Sequence, residues 1–118
     1  MKVVDFFCGA GGFSEGFRQM GFEIEYGYDH WRPAVETYNY NFGLKCEQKN
    51  ILDYLTSIDE IDCIPNTEII IGSPPCVSFS SSNKSGKADK SLGLDLTKAF
   101  LRVVAVKKNQ PNSVLVAW

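Results

Sequence analysis

A single histidine, no apolar run near the roughly 18 residues that cross a bilayer, and no excess of basic residues set the first limits on this 118-residue sequence. The four cysteines, at positions 8, 46, 63 and 76, lack the paired spacing of a metal-binding motif, and His30 alone cannot make up the deficit. No metal site is expected, and all four cysteines read as reduced thiols. Met1 is followed almost at once by a strand-like segment, so neither a leader peptide nor a membrane span is expected, and the protein reads as soluble and cytoplasmic. A net charge of −2, from 12 basic and 14 acidic residues, excludes a free-standing nucleic-acid-binding module with a broad basic face. Any contact with nucleic acid must be local or supplied from elsewhere. No repeat and no linker divides the chain, and its 44% hydrophobic content, with eight Phe, five Tyr and two Trp, suffices for one core.

What is present alternates between two textures. Lys2 to Phe7 is a short apolar strand that runs into Cys8-Gly-Ala-Gly-Gly12, after which Phe13, Phe17 and Met20 fall at helical spacing before Gly21. Glu23 to Tyr28 gives a second strand ending in Asp29. Pro33 opens a second helix that carries Val35, Tyr38 and Phe42 and closes at Gly43. Lys45 to Asn50 reads as a weak third strand, Ile51 to Ile58 as a short helix, and Glu68 to Gly72 as a strand buried on both faces. Ser73 to Ser91, rich in serine with two prolines and three lysines, is a long loop of the functional kind. Leu92 to Lys108 is helical and Ser113 to Trp118 is a fifth strand. Strand and helix in alternation with short connections predict a three-layer α/β sandwich whose parallel sheet of about five strands has the order 3-2-1-4-5. Strand 5 then lies at one side of the sheet, with an open edge.

In such a sheet ligands bind beyond the carboxyl ends of the strands, where strand order reverses, just after strand 1. Gly9, Gly11 and Gly12 sit there. Glycine permits positive φ and lets backbone amides approach a ligand, and the following helix N-terminus favours a carboxylate or phosphate. Asp29, twenty residues past Gly9, ends strand 2 where a carboxylate can accept from both ribose hydroxyls. The pair reads as a nucleoside-cofactor site of unspecified kind, with spacing G-x-G-G rather than the dinucleotide G-x-G-x-x-G. The alternative is a tight turn and a solvated strand end, and Glu15 is equally at home as a helix-surface carboxylate.

Strand 4 leads into Gly72-Ser73-Pro74-Pro75-Cys76, followed by Val77-Ser78-Phe79-Ser80. Two prolines restrict the backbone and hold the next side chain in a nearly fixed direction, as a nucleophile requires. A thiol at the mouth of the crevice can serve as that nucleophile; a buried, inert cysteine after turn prolines is the competing reading. Cys8, Cys46 and Cys63, each beside an apolar segment, take the inert reading.

The segments Asp5-Phe-Phe-Cys-Gly-Ala-Gly-Gly-Phe13 and Gly72-Ser-Pro-Pro-Cys-Val-Ser-Phe-Ser80 resemble, in order and spacing, the first motif and the catalytic loop of the cytosine-5 DNA methyltransferases. The resemblance extends through Asn41-Phe42-Gly43 and the Lys98 to Pro111 helix. It implies a Rossmann-like fold with S-adenosylmethionine as cofactor. Phe7, Gly9, Gly11 and Gly12 would line its methionine part, Asp29 would bind the ribose, His30 would pack against adenine, and Pro74 would border the pocket. Asn50 stands where the family carries an aspartate that accepts from the adenine amino group, and its amide oxygen can still accept. Cys76 would attack carbon 6 of a cytosine flipped out of double-stranded DNA. Ser80 and the lysines Lys84, Lys87 and Lys90 would close over the strand and meet phosphates, although an ordinary solvated loop would look the same.

Departures from the family pattern bound the expected role. Val77 replaces the glutamine usual after the nucleophile, and the glutamate that protonates the cytosine ring is absent, as are the later arginines and the target-recognition region. The resemblance therefore implies the N-terminal part of a catalytic domain over residues 1–118, of the restriction-modification kind, needing a complementary C-terminal polypeptide or segment for turnover. A tRNA-directed relative would share every one of these residues. Ser73-Pro-Pro-Cys76 also resembles the Ser-Pro-Pro-aromatic motif of amino methyltransferases, where cysteine would be a poor stacking residue. A non-catalytic cofactor-binding subunit is the reading from a different class.

Overall fold

The computed structural model describes residues 1–75, 90–109 and 115–117. Five strands, β1 (Lys2–Phe6), β2 (Glu23–Asp29), β3 (Cys46–Gln48), β4 (Ile69–Gly72) and β5 (Leu115–Ala117), pair in parallel in the order β3-β2-β1-β4-β5. The helices are α1 (Gly12–Gln19), α2 (Arg32–Phe42), α3 (Ile58–Asp62) and α4 (Lys90–Lys107), with a 3-10 turn over Ile51–Leu55. Strand order reverses beside β1, so the ends of β1, β2, β3 and β4 open on one crevice.

Alternation along β1 sorts the core into two layers. Val4 and Phe6 face a cluster with Tyr28, Ile51, Tyr54, Ile61, Ile70, Phe100 and Val103, which the 3-10 turn, α3 and α4 cover. Val3 faces the opposite cluster with Ile24, Val35, Tyr38, Cys46 and Ile71, covered by α1 and α2. Strand β2 keeps this sorting only because its pairing with β1 is irregular: Val3 faces Ile24 but Val4 faces Tyr26, so Glu25 is skipped. That bulge moves Ile24 to the α1/α2 side while Tyr26 and Tyr28 stay on the α4 side, where strict alternation would have put all three together. Gly27 falls opposite Asp5, and a Cβ there would lie 2.9 Å from Tyr38 Cζ and 3.1 Å from Cys8 Sγ. Its missing side chain is the space that Tyr38 and Cys8 fill.

Several sequence-based boundaries shift. The 3-10 turn replaces the helix expected over Ile51 to Ile58, because Asn50 Oδ1 accepts from Leu52 N at 3.1 Å and closes a tight first turn. A separate α3 follows, capped by Ser57, whose Oγ accepts from Glu60 N at 3.3 Å. Helix α4 starts at Lys90, two residues inside the expected loop, and β3 is only three residues long. Cys8 and Cys46 are buried with their sulfurs 3.4 Å apart, but Cys63 is exposed at the end of α3, against the buried reading it was given. No helix among the described residues is long and apolar enough to cross a membrane.

Candidate cofactor and catalytic site

The chain leaves β1 through a strained turn. Phe7 holds φ 56°, Gly9 φ 55° and Gly11 φ 102°. For Phe7, positive φ costs about 1–3 kcal/mol and persists only where neighbours over-determine it. Those neighbours are the Cys8 amide, which donates to Tyr28 O at 3.2 Å, and Phe100, whose ring meets Phe7 edge-on at 6.3 Å. The strain aims the Phe7 ring into the crevice. Gly11 is the N-cap of α1 and cannot carry a side chain, since a Cβ there would sit 2.2 Å from Phe42 Cε2.

Asp29 ties the turn to the next loop. It is 8% exposed, its Oδ2 accepts from Gly9 N at 2.9 Å, and its Oδ1 accepts from Trp31 N at 2.9 Å. Each carboxylate oxygen keeps a further acceptor site, so the same group can organise two loops and still receive hydroxyl donors. His30 stands beside it with Nδ1 3.7 Å from Asp29 Oδ1, its ring 71% exposed.

Two concavities flank this point and share His30. One, of about 560 Å³, is walled by Phe7, Ile51, Leu52, Pro75 and Leu96, with Asn50 and Gln48 supplying polar groups. The other, of about 410 Å³, lies along Gly9, Ala10, Asp29 and Trp31 up to Thr37 on α2. Most of the predicted residues therefore converge: Phe7, His30 and Asn50 on the first cavity, Gly9, Asp29 and His30 on the second. Pro75, not Pro74, forms the wall at the end of β4. Gly12 is exposed and borders a different cleft, with Phe13, Gly16, Phe17, Met20 and Phe22. Cys76, Ser80, Lys84 and Lys87 lie outside the described residues, and Lys90 is the first residue of α4. Glu15 pairs with Arg18 at 2.7 Å on the helix surface, which holds its carboxyl down to about 2. No group of three or more metal-ligating side chains occurs among the described residues.

Trp31, 62% exposed at the N-cap of α2, was missed by sequence reasoning; a tryptophan one residue past the acid-His pair was the available signal. Lys49 was missed as well. Its ammonium pairs with Glu60 and with Asp53 at 3.5 Å, and its amide donates to Asp29 O at 2.8 Å, which fixes the floor between β2 and the 3-10 turn.

Apolar walls with an amide acceptor at one end, a carboxylate in the middle and a glycine-rich turn at a helix N-terminus match a nucleoside joined to a small zwitterion. The residues present thus fit S-adenosylmethionine. Fold and site together define a class: the Rossmann-like, S-adenosylmethionine-dependent methyltransferases. A crystal structure of an E. coli prophage-encoded protein, a candidate DNA modification methyltransferase, superposes with TM-score 0.66 at 27% identity, over 89% of this chain and 28% of that one. Residues 1–116 match the family model of the C-5 cytosine-specific DNA methylases, and the chain belongs to that family. It is 45% identical to the type II methyltransferase M.HgiGI of Herpetosiphon aurantiacus over 88% of this chain and 80% of that protein. With M.HgiDI of the same organism it shares 42% identity over 88% of this chain, but spans only 33% of that protein's length.

Proposed function

We propose that this chain is the cofactor-binding and nucleophile-bearing part of an enzyme that methylates carbon 5 of cytosine in DNA, with residues 1–118 forming the N-terminal part of its catalytic domain. One observation carries the reading. Pro75, the residue to which Cys76 is joined, shares a cavity wall with Phe7, His30 and Asn50. The motif proposed for the nucleophile therefore opens from the same crevice as the residues proposed for the cofactor.

When bound, S-adenosylmethionine supplies an electrophilic methyl group. His30 and Ile51 flank an adenine ring, Asn50 Oδ1 offers an acceptor to its amino group, Asp29 accepts from the ribose, and Phe7 borders the methionine part. Pro74 and Pro75 limit the directions open to Cys76. As a thiolate, Cys76 adds to carbon 6 of cytosine, forming the S–C6 bond and passing electron density to carbon 5, which has little nucleophilicity otherwise. With the cofactor bound, carbon 5 would take up the methyl group as the methyl's bond to the cofactor sulfur breaks, leaving the cofactor as a neutral thioether. Removal of the carbon 5 proton by a base then returns the electrons, breaks the S–C6 bond and frees the thiolate. The base and the acid that protonates the ring belong to a complementary segment, as does target recognition; Ser80, Lys84 and Lys87 hold the flipped strand by its phosphates. Such a protein works in the cytoplasm, where its cofactor and DNA meet.

The test is the identity of the methylated nucleoside. The chain is incubated with labelled S-adenosylmethionine and double-stranded DNA or tRNA, alone and together with the part of M.HgiDI that the match leaves uncovered. The expected product is 5-methylcytosine in DNA. Label at an exocyclic amino group, label only in tRNA, or assembly without any transfer would each replace this reading with a different one.

A further inference from the structure

Asp5 lies in the middle of β1 and is 1% exposed. It accepts from Ser14 Oγ at 2.6 Å and from the Ser14 backbone N–H, and Ser14 Oγ also shares a hydrogen bond of 2.8 Å with the Tyr38 hydroxyl. Ser14 is the third residue of α1, so its amide is one of the helix's unpaired first-turn donors. Asp5 therefore caps α1 from inside the sheet, two residues before the strained turn begins. The titratable groups around it are Tyr38 from α2, Asp29 from β2 and Cys8 from the turn, with Cys46 of β3 behind Cys8; β4 places the apolar Ile71 opposite. None of these is a cation.

We propose that Asp5 couples cofactor binding to proton uptake: ionised Asp5 and the carboxylate of the cofactor's methionine part compete for the same α1 N-terminus, so binding draws a fraction of a proton onto Asp5. The inference rests on the reading that the glycine turn holds that carboxylate. A helix N-terminus carries roughly half a positive charge, and a buried carboxylate on its amides cancels part of it, whereas a protonated one leaves it for the ligand. Burial pushes the Asp5 carboxyl up to about 7, against the restraint of the two Ser14 donors, so both forms are populated near neutral pH. With the folded value above the ordinary 3.8, the folded protein holds this proton more tightly than the unfolded chain. Stability falls as pH rises between those two values.

The experiment is calorimetric titration of S-adenosylmethionine near neutral pH in buffers of different ionisation enthalpy, with affinities followed from about pH 6 to about pH 8.5. In the unmodified chain Kd should rise about two- to tenfold across that range, with proton uptake on binding. Asp5→Asn should remove that rise and the uptake, and its melting temperature should lose the pH dependence above. Ser14→Ala, which strips a donor from the carboxylate, should move the midpoint to higher pH, and it serves should Asp5→Asn fail to fold. A Kd independent of pH, or equal proton uptake in Asp5→Asn, would overturn the coupling while leaving cofactor binding intact. No binding at any pH would overturn the cofactor reading itself.

Discussion

Replacing Cys76 with serine is expected to lower methyl transfer to cytosine more than about a thousandfold, since groups that act as one catalytic unit show losses of that size or larger. A hydroxyl has far too little anionic character at neutral pH to add to carbon 6. Cofactor affinity should stay within about threefold, because the loss lies in the chemical step and not in the crevice walls. DNA carrying 5-fluorocytosine sharpens the measurement: fluorine at carbon 5 cannot leave as a proton does, so the S–C6 bond persists. The unmodified protein, supplied with a complement where it is silent alone, should give a covalent complex that survives denaturation, and Cys76→Ser should give none. Free protein recovered in both cases would refute the assignment. Retention of transfer by Cys76→Ser would point to an amino-group acceptor instead.

Gly11→Ala is expected to cost about 2–6 kcal/mol, from about 1–3 for a side chain at positive φ and a similar amount for overpacking. Both causes are present at this residue, with φ 102° and a Cβ position 2.2 Å from Phe42 Cε2. The Phe42 ring has little freedom to retreat, because it stacks on buried Tyr38 with centroids 4.5 Å apart and planes 28° apart. A chain of this size should lose about 8–24 °C in melting temperature. Gly12→Ala is the matched control. Nothing lies within 4 Å of its added Cβ, and exposed substitutions of this kind fall within about 0.5 kcal/mol. Equal melting temperatures for the two variants would show that the turn is not held as described.

The sheet was legible in the sequence because its strands are buried on both faces, which leaves runs such as Val3-Val4 and Ile69-Ile70-Ile71 with little polar content. Alternation and handedness limit the order to a few doubly wound arrangements, of which 3-2-1-4-5 is one. The β2 bulge was not legible: Ile24, Tyr26 and Tyr28 read as one face, and only packing against both layers at once selects the skipped Glu25. Helix α3 was missed despite a legible cap, Ser57-x-x-Glu60, because five residues carry too few apolar positions for periodicity to register. At the site, glycines and acids could be found by spacing, whereas the positive φ of Phe7 could not, since nothing in an apolar side chain announces a left-handed backbone. Asp5 was a signal left unused. A carboxylate within a buried strand needs partners, and Ser14 of α1 supplies them, its hydroxyl held in turn by Tyr38 of α2.

Titration of S-adenosylmethionine into the chain, with Asp29→Asn beside it, tests most directly whether these elements form a cofactor site. The amide in Asp29→Asn keeps one acceptor for the Gly9 or Trp31 N–H but loses the charged acceptor proposed for the ribose. Saturable binding by the unmodified chain, weakened about ten- to hundredfold in the variant, is the predicted result for the loss of hydrogen bonds to a charged group. No saturable binding, or equal affinity in the two proteins, would contradict the account.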